Sequence, residues 1–126
     1  MNTTDPQSKS APLIDFNQLH SACDGDEALM RELIDMYFTQ ADQIMAGLKK
    51  AVPERDIANV DHLSHKLAGS SLACGFSAIV PPLRRMEMVA KAGRLDGAED
   101  SLAETVSTLE LLRAAVQEYL RQGQSP

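Results

Sequence analysis

The chain has 126 residues, of which 44% are hydrophobic and 4% aromatic, and its formal net charge is −6. This length fits one domain that buries a core without disulfides or metals. The negative charge argues against nucleic acid as a partner, because phosphate binding needs a concentrated basic surface. No apolar run is long enough for a membrane span and no signal peptide is evident, so we expect a cytoplasmic protein with protein partners. Nothing demands self-association, and we expect a monomer.

The ends of the chain differ from its middle. Residues 1–12 are polar, contain Pro6 and Pro12 and show no periodicity, which predicts a disordered tail. Residues 13–122 form the predicted domain, and residues 123–126 form a C-terminal tail. The two cysteines, Cys23 and Cys74, lack the paired spacing of a zinc site and are expected to be free thiols.

The domain is predicted to be all-α. Asp15 caps a short helix through about Cys23, with Phe16 and Leu19 facing inward, and Asp24-Gly-Asp26 ends it and caps the next. Four longer helices follow, over about 27–50 (ended by Pro53), 54–74, 81 to 93 or 96 (opened by Pro81 and Pro82), and 98–121. Short connections and the absence of alternating strand patterns predict an antiparallel four-helix bundle with a short additional N-terminal helix.

The second helix has an unusually broad apolar stripe. Leu29, Leu33 and Met36 belong to the stripe expected to face the core, while Met30, Ile34 and Phe38 extend it round to a second side. Two interpretations are open at this point. The helix packs on two neighbours, or it exposes an apolar patch that docks a partner.

The third helix carries a histidine on the face opposite its core side. A helical wheel groups Ile57, Val60, Ser64, Leu67 and Ser71 on the core side and turns His65 away from them. Gly69 lies one turn after His65 and leaves open space beside the imidazole, at a cost in helix stability of about 1 kcal/mol relative to alanine. Such a histidine is either a solvated surface residue or one kept accessible for chemistry.

The residues around this histidine resemble a known signature. The run His65-Lys-Leu-Ala-Gly69-Ser70-Ser71, followed by Gly75, is similar to the motif of histidine-containing phosphotransfer domains. The run from Gly25 to Phe38 resembles the preceding helix of that family, and Gly93-Arg-Leu-Asp resembles the break before its last helix. The resemblance covers about residues 13–121.

The resemblance implies a function and its partners. His65 accepts a phosphoryl group from a receiver-domain aspartate and passes it to another receiver, with response-regulator receiver domains and a hybrid histidine kinase as partners. Gly69 gives the receiver close access. The domain needs no cofactor and no ATP site of its own, since the receiver supplies the metal ion and its carboxylates.

One position departs from the family. A lysine commonly stands three residues after the histidine, and here that position is Ala68. Lys66 and Lys91 are the candidates to supply the missing charge, and Arg84 or Arg85 could add to it. Ser70 and Gly75 complete the predicted supporting residues.

The expected receiver-binding surface surrounds His65. It combines His62, Ala58, Asp61 and Leu72 of the third helix with Met30, Ile34 and Phe38 of the second.

Three alternatives remain. Asp61, His62 and His65 could begin a metal site, although three ligands on one segment are too few to close it, so no metal is predicted. The bundle could instead be an adaptor that binds a signalling partner without phosphorylation. An enzyme with its own ATP site is disfavoured, because no glycine-rich phosphate loop is present.

Overall fold

The computed structural model describes residues 12–122, which form five α-helices and one short 3-10 turn. The helices are α1 (Phe16–Ala22), α2 (Glu27–Glu54), α3 (Ile57–Cys74), α4 (Val80–Lys91) and α5 (Ala98–Arg121), with the 3-10 turn at Ser77–Ile79. No strand occurs within residues 12–122, and the all-α prediction is confirmed. The two predicted tails lie outside the described residues, except for Pro12 at the end of the first. They cover residues 1–12 and 123–126.

The four long helices form an antiparallel bundle that closes between its first and last members. Arg31, near the start of α2, donates to the carbonyl of Leu120 near the end of α5 at 3.2 Å. Further along α2, Asp42 pairs with Arg113 of α5 at 2.6 Å. The order of these contacts shows that α2 and α5 run in opposite directions. The fully buried side chains between the helices include Leu48, Val60, Leu67, Leu83, Met86, Leu112 and Val116.

Aspartates set where three helices begin. Asp15, Asp26 and Asp56 precede α1, α2 and α3, and each side chain accepts a hydrogen bond from the amide three residues later, at 3.1–3.2 Å. These bonds satisfy amides that have no partner inside the helix. The first two caps are those expected from the sequence. The third starts α3 at Ile57 rather than near Glu54, because Arg55 adopts a left-handed conformation with φ 59° and ends α2 there.

Pro53 does not end α2 at about Lys50 as predicted, because α2 continues to Glu54. A proline costs a helix most in its interior, where it removes a hydrogen bond and crowds the preceding turn. Pro53 sits in the last turn, so the helix ends just after it. Pro81 and Pro82 lie in the first turn of α4, as predicted, where proline fits because those amides lack helical acceptors.

The short helix α1 covers the end of the bundle at which α3 stops. Leu19 is fully buried there, and the Asp15 amide donates to the Gly75 carbonyl at 2.6 Å. Phe16 was expected in the core, but it stays 42% exposed and packs against Tyr119 with ring centroids 4.7 Å apart. The helix therefore anchors the C-terminal end of α3.

The broad apolar stripe of α2 serves packing, and the prediction that Met30, Ile34 and Phe38 lie on the receiver-binding surface is wrong. All three are buried, with Met30 at 0% exposure. The physical reason is that α2 lies between α3 and α5, so that both sides of its stripe face a neighbour. Leu29 and Met36, which were assigned to the core, are exposed instead.

None of the described helices is both long and apolar enough to cross a bilayer. Cys23 and Cys74 are buried free thiols, and burial raises the pKa of Cys74 to about 11.

Candidate functional site

The core face of α3 turns His65 outward. Val60, Ser64, Leu67 and Ser71 are buried, and the two serine hydroxyls donate to carbonyls one turn back, at 2.6 and 2.7 Å, so that both are paired in the core. On the other side of the helix, the side chain of His65 is 65% exposed. The imidazole therefore stands on a surface that a partner can reach.

A carboxylate from α4 holds one nitrogen of this ring. Glu87 Oε2 lies 2.6 Å from His65 Nδ1, and the Glu87 side chain is only 7% exposed. An ionised carboxylate can only accept hydrogen bonds, so Nδ1 must donate. Nδ1 then carries the proton of the neutral ring, which leaves the Nε2 lone pair free. Glu87 was not among the residues predicted for the site.

The environment of Glu87 keeps it ionised. Burial acts to raise its pKa, but hydrogen bonds from Arg84 and His65 outweigh that effect and hold the pKa below its ordinary value of 4.5. Arg84 Nη1 donates to Glu87 Oε1 at 2.7 Å, so each carboxylate oxygen has its own partner. The glutamate is thus a negative charge at neutral pH.

Lys91 lies on the α4 flank of the histidine. Its Nζ is 3.7 Å from Glu87 Oε2 and 3.2 Å from Asp61 Oδ1. Glu87 Oε2 also contacts His65 Nδ1, so the ammonium group and the ring share one carboxylate oxygen as a neighbour. Lys91 is therefore placed to act on a charge near the imidazole.

The other predicted cations are placed differently. Lys66 lines a shallow cleft on the α2 side, together with Asp35 and Met36, away from the α4 flank that holds Glu87. Arg85 turns towards α5, where it contacts Ser101 and Glu104. The alanine that replaces the common lysine of the signature, Ala68, is fully buried.

The two signature glycines have separate surroundings. A Cβ placed on Gly69 would meet no heavy atom within 4 Å outside the adjacent helix backbone, so the space beside His65 is open. Gly75 has φ +83° and ends α3, and a Cβ there would lie 2.5 Å from the Asp15 carbonyl oxygen. It lies about 15 Å along the helix from His65, at 1.5 Å per residue. The expectation that Gly75 supports the histidine is therefore wrong, because its position serves the docking of α1.

The remaining predicted surface residues of α3 lie on the same side of the helix as His65. His62, Ala58 and Leu72 are exposed, and Asp61 is half-buried under its contact with Lys91. All four share the outward side of α3 with His65.

An apolar cleft lies on the α2 side of the site. It has a volume of about 360 Å³ and is lined by Leu33, Met36, Gln40, Ser70 and Ala73, among others. Met36 is 65% exposed. We call this feature the α2–α3 cleft. Met36 gives this cleft an exposed apolar side chain on α2, in contrast to the buried Met30, Ile34 and Phe38.

The three candidate metal ligands do not gather. Asp61, His62 and His65 form no cluster suited to a metal ion, and neither does any other set of three or more His, Cys, Asp or Glu side chains within residues 12–122.

The site has an exposed imidazole, a buried carboxylate that holds one of its nitrogens and a lysine beside them, an arrangement suited to a side chain that carries a covalently bound group. The Hpt domain family model matches residues 32–122, and the chain belongs to this family. It is a phosphocarrier that takes part in histidine phosphotransfer in a two-component phosphorelay, as the signature implied.

Solved structures share the fold. The histidine-containing phosphotransfer protein B (HptB) of Pseudomonas aeruginosa PAO1 has a TM-score of 0.81 and 23% identity over 89% of this chain and 98% of its own. Ypd1 of Saccharomyces cerevisiae, crystallised with the receiver domain of its downstream response regulator Ssk1, has a TM-score of 0.79 and 18% identity, over 89% of this chain and 97% of that one. MtHPt2 of Medicago truncatula has a TM-score of 0.77 and 19% identity, over 89% and 80%. Comparison with curated protein sequences finds no significant match.

Proposed function

We propose that Nε2 of His65 is the atom that carries the phosphoryl group. The observation that supports this most is the 2.6 Å contact between Glu87 Oε2 and His65 Nδ1, on a ring that is 65% exposed. It assigns the proton to Nδ1 and points the lone pair of Nε2 to solvent, which is what a nucleophile needs. His62 is also exposed, but within residues 12–122 no side chain hydrogen-bonds to its ring and orients it.

The reaction needs little from this chain beyond the nucleophile and its orientation. Nε2 attacks the phosphorus of an aspartyl phosphate, the N–P bond forms, and the P–O bond to the aspartyl carboxylate breaks. The carboxylate leaves with the electron pair. Nδ1 keeps its proton, so the ring becomes cationic, and the ionised Glu87 stabilises that charge. The reverse sequence passes the group to the next aspartate.

Cations on α4 offset the charge that arrives. A phosphoryl group brings about −1.5 to −2 charge at neutral pH. Lys91 is the nearest candidate partner, because a single carboxylate oxygen separates it from the imidazole. Arg84 contributes indirectly, through its hydrogen bond to Glu87. Lys66 lies on the opposite flank and plays a smaller part.

The partner is a receiver domain that docks over the outward face of α3 and the α2–α3 cleft. Ypd1, which shares this fold, was crystallised with a receiver domain, and this supports the same kind of partner here. Met36 on α2 and Leu72 on the outward side of α3 are exposed apolar side chains, and exposed apolar surface suits the centre of an interface. Gly69 leaves the space through which the receiver approaches.

The chain supplies the carrier, and the remaining chemistry belongs to its partner. We propose that it has no ATP site and no cofactor, and that the metal ion of the transfer reaction is held by the receiver. We also propose that it works in the cytoplasm, where its two buried cysteines would remain reduced thiols.

A labelling experiment tests the acceptor atom. Receiver domains of the same organism are phosphorylated with ³²P-acetyl phosphate and mixed with the parent protein, H65Q or H62Q, and the acid-labile label on each is measured. We expect H62Q to be labelled like the parent and H65Q to remain unlabelled. Equal labelling of H65Q would show that His65 is not the acceptor. A parent that binds receivers without becoming labelled would indicate the adaptor function instead.

A further inference from the structure

Four charged or titratable side chains form a square across α3 and α4. Asp61 and His65 are one turn apart on α3, and Lys91 and Glu87 are one turn apart on α4. Lys91 Nζ contacts Asp61 at 3.2 Å and lies 3.7 Å from Glu87, which in turn holds His65 at 2.6 Å. Lys91 is therefore shared between two carboxylates, and the shorter contact is the one to Asp61.

We propose that Asp61 restrains Lys91, and that this restraint limits how strongly the protein stabilises a phosphoryl group on His65. The inference rests on the proposed phosphorylation of His65 and assigns Asp61 a positioning role, because it acts through Lys91. In the unmodified protein the charges of Asp61 and Glu87 balance those of Lys91 and Arg84. A phosphoryl group on Nε2 adds negative charge that competes with Asp61 for the ammonium group.

The contacts allow this exchange. The side chains of Lys91 and Asp61 are 59% and 30% exposed, and ion pairs in solvent are weak enough to break and re-form. A lysine ammonium sits on a flexible stem with donors in several directions, so it can move from one oxygen to another. Arg84, outside the square, is tied to Glu87 at 2.7 Å, which leaves Lys91 as the more mobile of the two cations.

The two states of Lys91 have opposite consequences. With Asp61 present, part of the attraction between Lys91 and the phosphoryl oxygens is spent on breaking the Asp61 contact. The phosphoryl group is then held less tightly and is more easily passed on. Without the Asp61 charge, Lys91 is free to pair with the phosphoryl group, and the carrier retains it more strongly.

A receiver-independent measurement tests the proposal. The full chain carrying H20Q and H62Q, in which His65 is the remaining histidine, is phosphorylated with potassium phosphoramidate: the P–N bond breaks, ammonia leaves and Nε2 of His65 takes the phosphoryl group. The pKa of that phosphoryl group is then measured by ³¹P NMR titration. A nearby cation stabilises its dianionic form and lowers this pKa. Docking to a receiver does not enter the measurement.

Four variants in this background separate the effects. D61N, K91Q and D61N/K91Q form a double-mutant cycle. D42N removes an equivalent carboxylate that pairs with Arg113 on α5, far from the square, and serves as the matched control. We expect D61N to weaken proton binding by the phosphoryl group about two- to fivefold. This fold-change corresponds to the free energy of one exposed ion pair. K91Q should raise it, and D42N should leave it unchanged.

The cycle decides whether Asp61 acts through Lys91. If the effect of D61N falls by at least half when Lys91 is absent, the restraint is supported. If D61N has the same effect with and without Lys91, or no more effect than D42N, the restraint does not exist. If phosphoramidate leaves no phosphoryl group on His65, the acceptor assignment fails, and this outcome is distinct from an unchanged pKa on a phosphorylated protein.

Discussion

Glu87 Oε2 lies 2.6 Å from Nδ1 of His65, and this contact joins a buried carboxylate of α4 to an exposed ring of α3. The two residues are 22 positions apart in the sequence. The orientation of the His65 ring therefore depends on how the two helices pack.

Replacing Glu87 with glutamine should slow phosphotransfer without unfolding the protein. An amide oxygen can still accept from Nδ1, but hydrogen bonds to charged groups are stronger than neutral ones by about 1 kcal/mol, so we expect a rate about fivefold lower. The rate of label transfer from a phosphorylated receiver measures this. Glu104→Gln removes a carboxylate on the α5 side and should leave the rate unchanged. An E87Q rate equal to that of the parent would contradict the role given to Glu87.

Acid should destabilise the parent more than E87Q. The pKa of Glu87 in the folded protein lies below its ordinary value of 4.5, so its contribution to stability is present above about 4.5 and is lost as the pH falls through the lower, folded value. The free energy of unfolding, measured by urea titration at several pH values between 6 and 3, should fall more steeply for the parent. Parallel pH curves for the two proteins would show that Glu87 is not stabilised by Arg84 and His65.

A side chain at position 69 should be compatible with folding, but a long one should slow phosphotransfer. Gly69→Ala is expected to raise the free energy of unfolding by about 1 kcal/mol, because alanine favours the helix and its Cβ meets open space. Gly69→Arg should fold as well as the parent yet transfer phosphate much more slowly, because the long side chain fills the approach to His65. Urea unfolding and label transfer measure the two effects. Normal transfer by G69R would disprove the steric role of this glycine.

Gly75 should show the opposite behaviour. Gly75→Ala is expected to lower the free energy of unfolding by about 1–3 kcal/mol, because φ +83° is strained for a side chain and the new Cβ would press on the Asp15 carbonyl. Transfer per folded molecule should stay normal, since the change lies at the far end of α3. A transfer defect in a fully folded G75A protein would return Gly75 to the site.

Substitutions at two methionines of α2 should have different effects, one on stability and the other on receiver binding. Met30→Ala removes a fully buried side chain and should cost about 2–5 kcal/mol of unfolding free energy. Met36→Ser changes a side chain that is 65% exposed and should leave stability nearly unchanged, while weakening receiver binding by about fivefold or more. Urea unfolding and calorimetric titration with a receiver measure these effects. Receiver binding that is unaffected by M36S would exclude the α2–α3 cleft from the interface.

Several parts of this fold follow from local sequence. The bounds of the last helix, Ala98–Arg121, and the caps at Asp15 and Asp26 agree with the prediction, because capping and the 3.6-residue period act within a few residues of the chain. The outward position of His65 follows for the same reason, since the buried positions of α3 repeat with that period. Such features are set by residues close in sequence and do not depend on which other helices pack against them.

Other parts depended on which helices meet. Met30 and Met36 belong to one continuous apolar stripe, and only the packing of α2 between α3 and α5 decides that the first is buried and the second is exposed. In the sequence, Glu87 lies between Arg85 and Lys91, and this pattern of charges is typical of a solvent-exposed helix face. The α3–α4 contact buries its carboxylate and brings it to His65.

The sequence by itself determined the class of fold and pointed to His65 as the proposed phosphoryl acceptor, because periodicity and motif spacing are local properties of the chain. Only the tertiary structure decided which nitrogen of His65 is free, which lysine stands beside it and which apolar residues a partner can touch. Those properties arise from distances between residues that the chain keeps far apart and that helix packing brings within a few ångströms.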